Sequence, residues 1–242
     1  MNIDAASGPR QFGNLDANLR FIDATGVLAP FAEALEIGSG TGVLLHALQE
    51  RGCRAQGVEL NLELIDDART WFGALPIQKV ERETLPFENN SFDVVMSFDV
   101  FEHIPDSDAH LREVRRVLRT DGAYLIQTPN KWMNVIFETI RWRSFTRFRE
   151  DHCSLHTLGE LRRRLSRHGF ESRAYDVPVV NDFFREKVRT YAGSAGVFAL
   201  RLVNPDRFPL ACRTNLYVHA TKRGEPIKRT LDTVAQIRPS TP

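Results

Sequence analysis

The sequence predicts an α/β fold: a doubly wound, mostly parallel sheet with helices on both faces. Three observations carry that expectation. Short apolar runs alternate along the chain with segments whose apolar residues recur at helical spacing, the pattern of strands joined by crossover helices. Glu36-Ile37-Gly38-Ser39-Gly40-Thr41-Gly42 sets a glycine turn between the first such strand and a helix start. The next apolar run ends on an acid, Glu59, so its carboxylate would lie beside that turn. A side chain at Gly38 or Gly40 would hold a ligand off the backbone, whose free N–H groups and helix dipole attract negative charge. A carboxylate at the end of the second strand can accept two hydrogen bonds from a ribose diol.

In chain order, residues 1–10 carry no pattern, and Phe12, Leu15, Leu19 and Ile22 then recur as one face of an amphipathic helix. Ala34 to Ile37 is the first strand and Val43 to Gln49 the first turns of a helix, stopped by Gly52. Ala55 to Glu59 is the second strand. Asn61 can cap a helix whose Ile65, Ala68 and Phe72 make its apolar face. Ile77 to Glu81 follows as a third strand and Phe92 to Phe98 as a central parallel one, apolar except at Asp93 and Ser97. A helix from Ser107 or Asp108 turns Leu111, Val114, Val117 and Leu118 inward, with Gly122 beyond its end and a strand from Ala123 to Gln127. Thr157-Leu-Gly-Glu160 is a capping box for a helix carrying Leu158, Leu161 and Leu165, stopped by Gly169. Glu171 to Val177 and Asn215 to Thr221 are the last two strands. Between them Phe184, Val188, Tyr191, Ala195, Phe198 and Leu202 form a long helical stripe, expected to pack on the body rather than to form a dimer seam.

Composition narrows the function. A chain of 242 residues with a formal net charge of +1 has no global basic field, so no nucleic-acid partner is expected and any basic site must be local. Cys53, Cys153 and Cys212 are odd in number and widely spaced, which suits free thiols in a reducing compartment. The start lacks the pattern of a signal peptide and no apolar run would span a bilayer, so a cytoplasmic protein is expected. The glycines fall as G-x-G-x-G with Val43 at the sixth position, whereas a dinucleotide fingerprint needs G-x-G-x-x-G, which argues against a dehydrogenase.

The run Leu35 to Val43, then Gly57-Val58-Glu59-Leu60, then Leu85-Pro-Phe-Glu-Asn-Asn-Ser-Phe-Asp-Val-Val95 resembles class I S-adenosylmethionine (SAM)-dependent methyltransferases of the type 11 or ubiquinone O-methyltransferase kind. The resemblance implies a Rossmann-like sheet with an antiparallel last strand, SAM as cofactor, and a leading helix over the mouth of the site. It also implies the division of the chain: 1–29 as N-terminal segment and lid helix, 30–222 as the methyltransferase domain with insertions at 130–156 and 178–210, and 223–242 as a flexible tail. By the same resemblance Gly38, Ser39, Gly40 and Gly42 approach the methionine part, Glu59 binds the ribose and Leu60 packs on the adenine. Glu36 and the backbone near Phe98 face the ammonium, and Glu81, followed by Arg82, meets the adenine amino group.

Methyl transfer from a sulfonium needs alignment first and, for a hydroxyl acceptor, a base. Three histidines are candidates: His103, and His152 and His156 beside the capping-box helix. No metal is expected, and Asp99, Glu102 and His103, at i, i+3 and i+4, are the candidates should one bind. The 130–156 insertion interleaves aromatics with arginines, and its Trp132, Arg143 and Arg147 suit an acceptor that is aromatic or amphiphilic and anionic; the same residues would serve peripheral contact with a membrane surface. The leading expectation is methyl transfer to a small molecule at oxygen, by a monomer or homodimer. Its competitors are a lipid-linked, sugar-bearing or protein acceptor, and a non-catalytic SAM-binding partner protein.

Overall fold

A computed structural model describes residues 8–81, 84–142 and 152–224. Arg82, Arg143, Arg147 and the 225–242 part of the expected tail lie outside the described residues. Seven strands form one sheet: β1 (Glu33–Ile37), β2 (Arg54–Glu59), β3 (Ile77–Lys79), β4 (Phe92–Phe98), β5 (Leu118–Pro129), β6 (Phe170–Tyr175) and β7 (Asn215–Lys222), in the spatial order β3-β2-β1-β4-β5-β7-β6. β1 to β5 pair in parallel, and β7 runs antiparallel between β5 and β6.

Alternation along the strands makes two cores. Leu35, Val95, Tyr124 and Ile126 face α4 (Ser107–Val117) and α6 (Leu158–Arg167), which supply Leu111, Val114, Leu161 and Leu165. Ala34, Val94, Met96 and Leu125 face α1 (Leu15–Thr25) and α2 (Val43–Glu50), which supply Phe21, Ile22, Leu45 and Leu48. Local signals set the ends. The Asn14 and Asn61 side chains accept the amides of Ala17 and Glu63, starting α1 and α3 (Leu62–Phe72). At α6 Thr157 Oγ1 accepts the Glu160 amide at 3.3 Å while Glu160 Oε2 accepts the Thr157 amide at 2.8 Å, the reciprocal capping box.

Three stretches differ from the expectation. α4 ends at Val117, Leu118 opens β5, and Gly122 lies inside that strand rather than stopping a helix. The reason is an irregularity in which Phe92 pairs with Leu118 and Val94 with Ala123. A Cβ on Gly122 would sit 2.9 Å from the Arg119 carbonyl and 3.1 Å from that of Asp93, so the bulge needs a residue without one. β3 stops at Lys79 and leaves Glu81 in a loop. The 130–156 insertion opens as α5 (Lys131–Trp142), and the 178–210 insertion contains α7 (Asp182–Leu202), bent at Gly193, where φ is 62°. None of the α7 residues is buried, although Phe184 packs against the core.

Candidate functional site

β1 delivers the chain to the glycine turn at the carboxyl end of the sheet, where α2 begins. Gly38, Gly40 and Gly42 all have positive φ, at 73°, 52° and 74°. The Gly38 and Ser39 amides donate to the Val58 carbonyl at 2.8 and 3.1 Å, which seats the turn on β2. Glu59 completes it: one carboxylate oxygen accepts the Gly40 amide at 2.8 Å, and the other accepts those of Leu60 at 2.8 Å and Asn61 at 3.0 Å.

Under the turn, Glu36 is 7% exposed, and its Oε2 has no hydrogen-bond partner among the described residues; nor does the buried hydroxyl of Ser39. Burial pushes the Glu36 carboxyl well above the usual carboxylate range, and the charge of Glu59 adds to the push. A buried carboxylate oxygen and a buried hydroxyl that both lack a partner among the described residues suit a cationic ligand with N–H donors. Leu60 is 61% exposed, presenting an apolar face beside the turn. Glu81 is turned to solvent 3.6 Å from Lys79 and does not line the cleft described below.

The strap before α1 covers the turn. Thr41 Oγ1 donates to the Arg10 carbonyl at 2.7 Å, and the Phe12 ring is the nearest group to the space above Gly40. Phe12 therefore belongs to this strap and not to the helical stripe, because Asn14 caps α1 at Leu15.

Past β4 the chain forms the other wall. Asp99 has a φ of 54° and is clamped by Gln127, whose Oε1 accepts its amide at 2.7 Å and whose Nε2 donates to Oδ1 at 3.0 Å. The following 3₁₀ turn is only Phe101–His103, so Asp99 precedes it and the three polar residues do not share a helical face. Glu102 is 1% exposed and accepts from the Thr128 hydroxyl at 2.9 Å. Its pKa is pushed up to about 8, by burial first and then by the charge of Asp99.

The histidines separate. His103 Nε2 lies 3.9 Å from Glu102 Oε1, and its ring centroid is 5.0 Å from that of His152, whose Nδ1 is 2.9 Å from Asn134 Nδ2. Glu102, His103 and His152 each offer a ligand atom within 4.8 Å of the others, a group that does not include Asp99. His156 goes elsewhere. It is 7% exposed, lies under Phe101 with Nδ1 2.7 Å from the Ser154 carbonyl, and does not line the cleft; burial lowers its pKa.

These walls enclose a cleft of about 770 Å³. Glu36, Gly38 to Gly40, Glu59, Leu60 and Phe98 line one part, and Asp99, Glu102, His103 and His152 the other. Trp132 is 63% exposed and not in the lining, while its neighbours Met133, Asn134 and Phe137 are. Phe184, Lys187 and Val188 of α7 close the far side. The sequence signal that could have found the α5 contacts was spacing: residues 133, 134 and 137 share a helix face that 132 leaves.

Glu102 gives a pH prediction. An unperturbed carboxyl ionises near 4.5 and this one near 8, so between those values the folded protein holds a proton that the unfolded chain has released. Its contribution therefore destabilises the fold increasingly as pH rises through that window, by up to about 1.4 kcal/mol per pH unit. Glu102→Gln removes the effect. Thermal melts without cofactor should give a variant whose advantage over the parent is small near pH 4.5 and grows towards pH 8; a difference independent of pH contradicts the assignment.

A family profile described as "Methyltransferase domain" matches residues 11–175. A probable S-adenosylmethionine-dependent methyltransferase of Mycolicibacterium smegmatis is 30% identical over 99 residues, 41% of this chain and 38% of that one. A ubiquinone biosynthesis O-methyltransferase of Neisseria meningitidis serogroup A is 28% identical over 104 residues, 40% of this chain and 44% of that one. The matches thus span less than half the length of these relatives. Among solved structures, an S-adenosylmethionine-dependent methyltransferase from Mesorhizobium loti is similar with a TM-score of 0.61 and 16% identity, covering 86% of this chain and 100% of that one. At that identity the likeness shows the fold.

Proposed function

The chain belongs to the S-adenosylmethionine-dependent methyltransferases, and from that premise we propose that it transfers the methyl group to an oxygen of a small-molecule acceptor. Bound SAM supplies an activated electrophilic methyl group; the chain's own residues bind, align and handle the proton. Glu59 takes the ribose diol, Leu60 packs on the adenine, and Glu36 Oε2 and Ser39 Oγ, both without partners, receive the ammonium.

One observation carries the choice of oxygen. His103 and His152 meet on the same cleft as the glycine turn, with the Glu102 carboxyl, protonated below about pH 8, beside them, so an acceptor hydroxyl there has imidazole proton acceptors at hand. The ubiquinone biosynthesis O-methyltransferase relative is consistent with that choice. Apolar side chains of α5 and α7, Met133, Phe137 and Phe184, would hold the body of the acceptor, with Lys187 available to an anionic substituent. Trp132 is exposed on the same helix as Met133 and Phe137 but outside the cleft lining.

The test is a pooled acceptor screen with methyl-labelled SAM, followed by identification of the methylated atom. Label on oxygen is expected. With the acceptor in hand, His103→Ala or His152→Ala should lower kcat by about a hundredfold or more at unchanged SAM affinity. Label on nitrogen or carbon refutes the oxygen assignment, and normal turnover in both variants removes the histidines from proton transfer. Glu102, His103 and His152 could instead hold a divalent ion, and loss of turnover on chelation, restored by Mg²⁺ or Mn²⁺, would select that reading.

A further inference from the structure

A second cleft, of about 450 Å³, opens at the opposite end of the parallel strands from the glycine turn. It lies between α4, the turn before β4, the start of β5 and the end of β7. Arg112, Arg115, Arg116, Lys222 and Arg223 line it, and among the described residues no carboxylate does. In a chain whose formal net charge is +1, this is a strongly local concentration of positive charge.

Partners within the fold cancel part of it. Glu113 pairs with Arg116 at 2.8 Å and Glu171 with Arg223 at 3.2 Å. The other three cations keep their charge. Arg115 donates to the carbonyls of Gly169 and Arg223 at 3.1 and 3.2 Å, and Lys222 donates to the Leu118 carbonyl and to Asn90 Oδ1. A neutral carbonyl fixes a guanidinium or ammonium in place without neutralising it, so these donors are held ready. Arg112 has no ion pair or hydrogen bond with another described residue. The Lys222 pKa is lowered, by burial first and then by the charge of Arg115.

Concave walls of one sign focus the field on whatever enters. The donor set is also specific in kind. Guanidinium forks fit the paired oxygens of a phosphoryl group, and the Asn89 and Asn90 amides, whose carbonyl oxygens already accept from Arg116 and Lys222, keep their N–H groups for a ligand. We infer that this cleft binds the multiply charged phosphate group of a small ligand, at a site separate from the methyl-transfer cleft. The inference does not depend on the acceptor proposed above.

The experiment titrates sodium triphosphate calorimetrically into the full chain saturated with S-adenosylhomocysteine, which keeps the other cleft filled. One site per chain is expected. Arg112→Gln, which breaks no hydrogen bond or ion pair among the described residues, should weaken binding about tenfold, and Arg112→Gln with Arg223→Gln should weaken it further. Absence of binding, an affinity unchanged in Arg112→Gln, or competition by added S-adenosylhomocysteine in an unsaturated sample would overturn the inference. A single-stranded RNA oligonucleotide provides the second arm. If it displaces triphosphate and binds more tightly, the phosphates come from a nucleic-acid backbone and the small-ligand assignment is wrong.

Discussion

Glu59→Ala should lower the affinity for SAM by at least tenfold, at about 1.5–3 kcal/mol for each charge-assisted hydrogen bond lost to the ribose. The structure gives this side chain a second task. Its two oxygens already hold the amides of Gly40, Leu60 and Asn61, so its removal also loosens the turn that must meet the ligand. Glu59→Gln keeps one carbonyl oxygen and should fall between the parent and the alanine variant. Calorimetric titration with SAM measures all three proteins, and equal affinities would contradict the assignment.

Gly40→Val should abolish SAM binding while leaving the protein folded. A Cβ there meets only the Phe12 ring, at 3.7 Å, so the added side chain occupies the ligand's space rather than the core. The positive φ costs a β-branched residue about 1–3 kcal/mol, which a folded domain can bear. Gly38→Ala is the opposite case. Its Cβ would collide with Val100 Cγ2 at a φ of 73°, so something in the wall must move. Overpacking of this kind costs about 1–3 kcal/mol before strain is counted. Melting and titration together separate the two. A Gly40 variant that binds SAM normally refutes the placement of the ligand, and a Gly38 variant with the parent's melting temperature refutes the close approach.

Much of the scaffold was legible because its signals are local. β4 matches its expected bounds, the Asn61 cap and the Thr157-to-Glu160 box form as read, and the alternation within the strands sorts the two cores. The glycine turn with Glu59 was legible for the same reason: strand, turn and strand end lie within one supersecondary unit. What was not legible depends on distant neighbours. Gly122 looks like a helix stop until the Asp93 carbonyl is seen beside it. The spacing of Asp99, Glu102 and His103 suggests one helical face, but Gln127 from the adjacent strand clamps Asp99 at a positive φ ahead of the turn. His152 and His156 look alike in sequence, flanking Cys153 and Ser154, yet contacts with Asn134 and with Phe101 send one to the cleft and the other to the interior.

The placement of β7 between β5 and β6 bears on how the chain becomes a protein. β6 makes its sheet pairs with β7, and Ala123 of β5 pairs with Thr221 near the end of β7. As the chain emerges from the ribosome, β6 is therefore complete before it has a strand to join, and β5 waits with an open edge. An unpaired edge is a template for pairing with another molecule, and contacts between residues so far apart in sequence form late. Arrival of Asn215–Lys222 resolves both problems at once, by closing the β5 edge and recruiting β6 in the same step. Synthesis that halts before Asn215 leaves a species prone to aggregate, however well its glycine turn has formed.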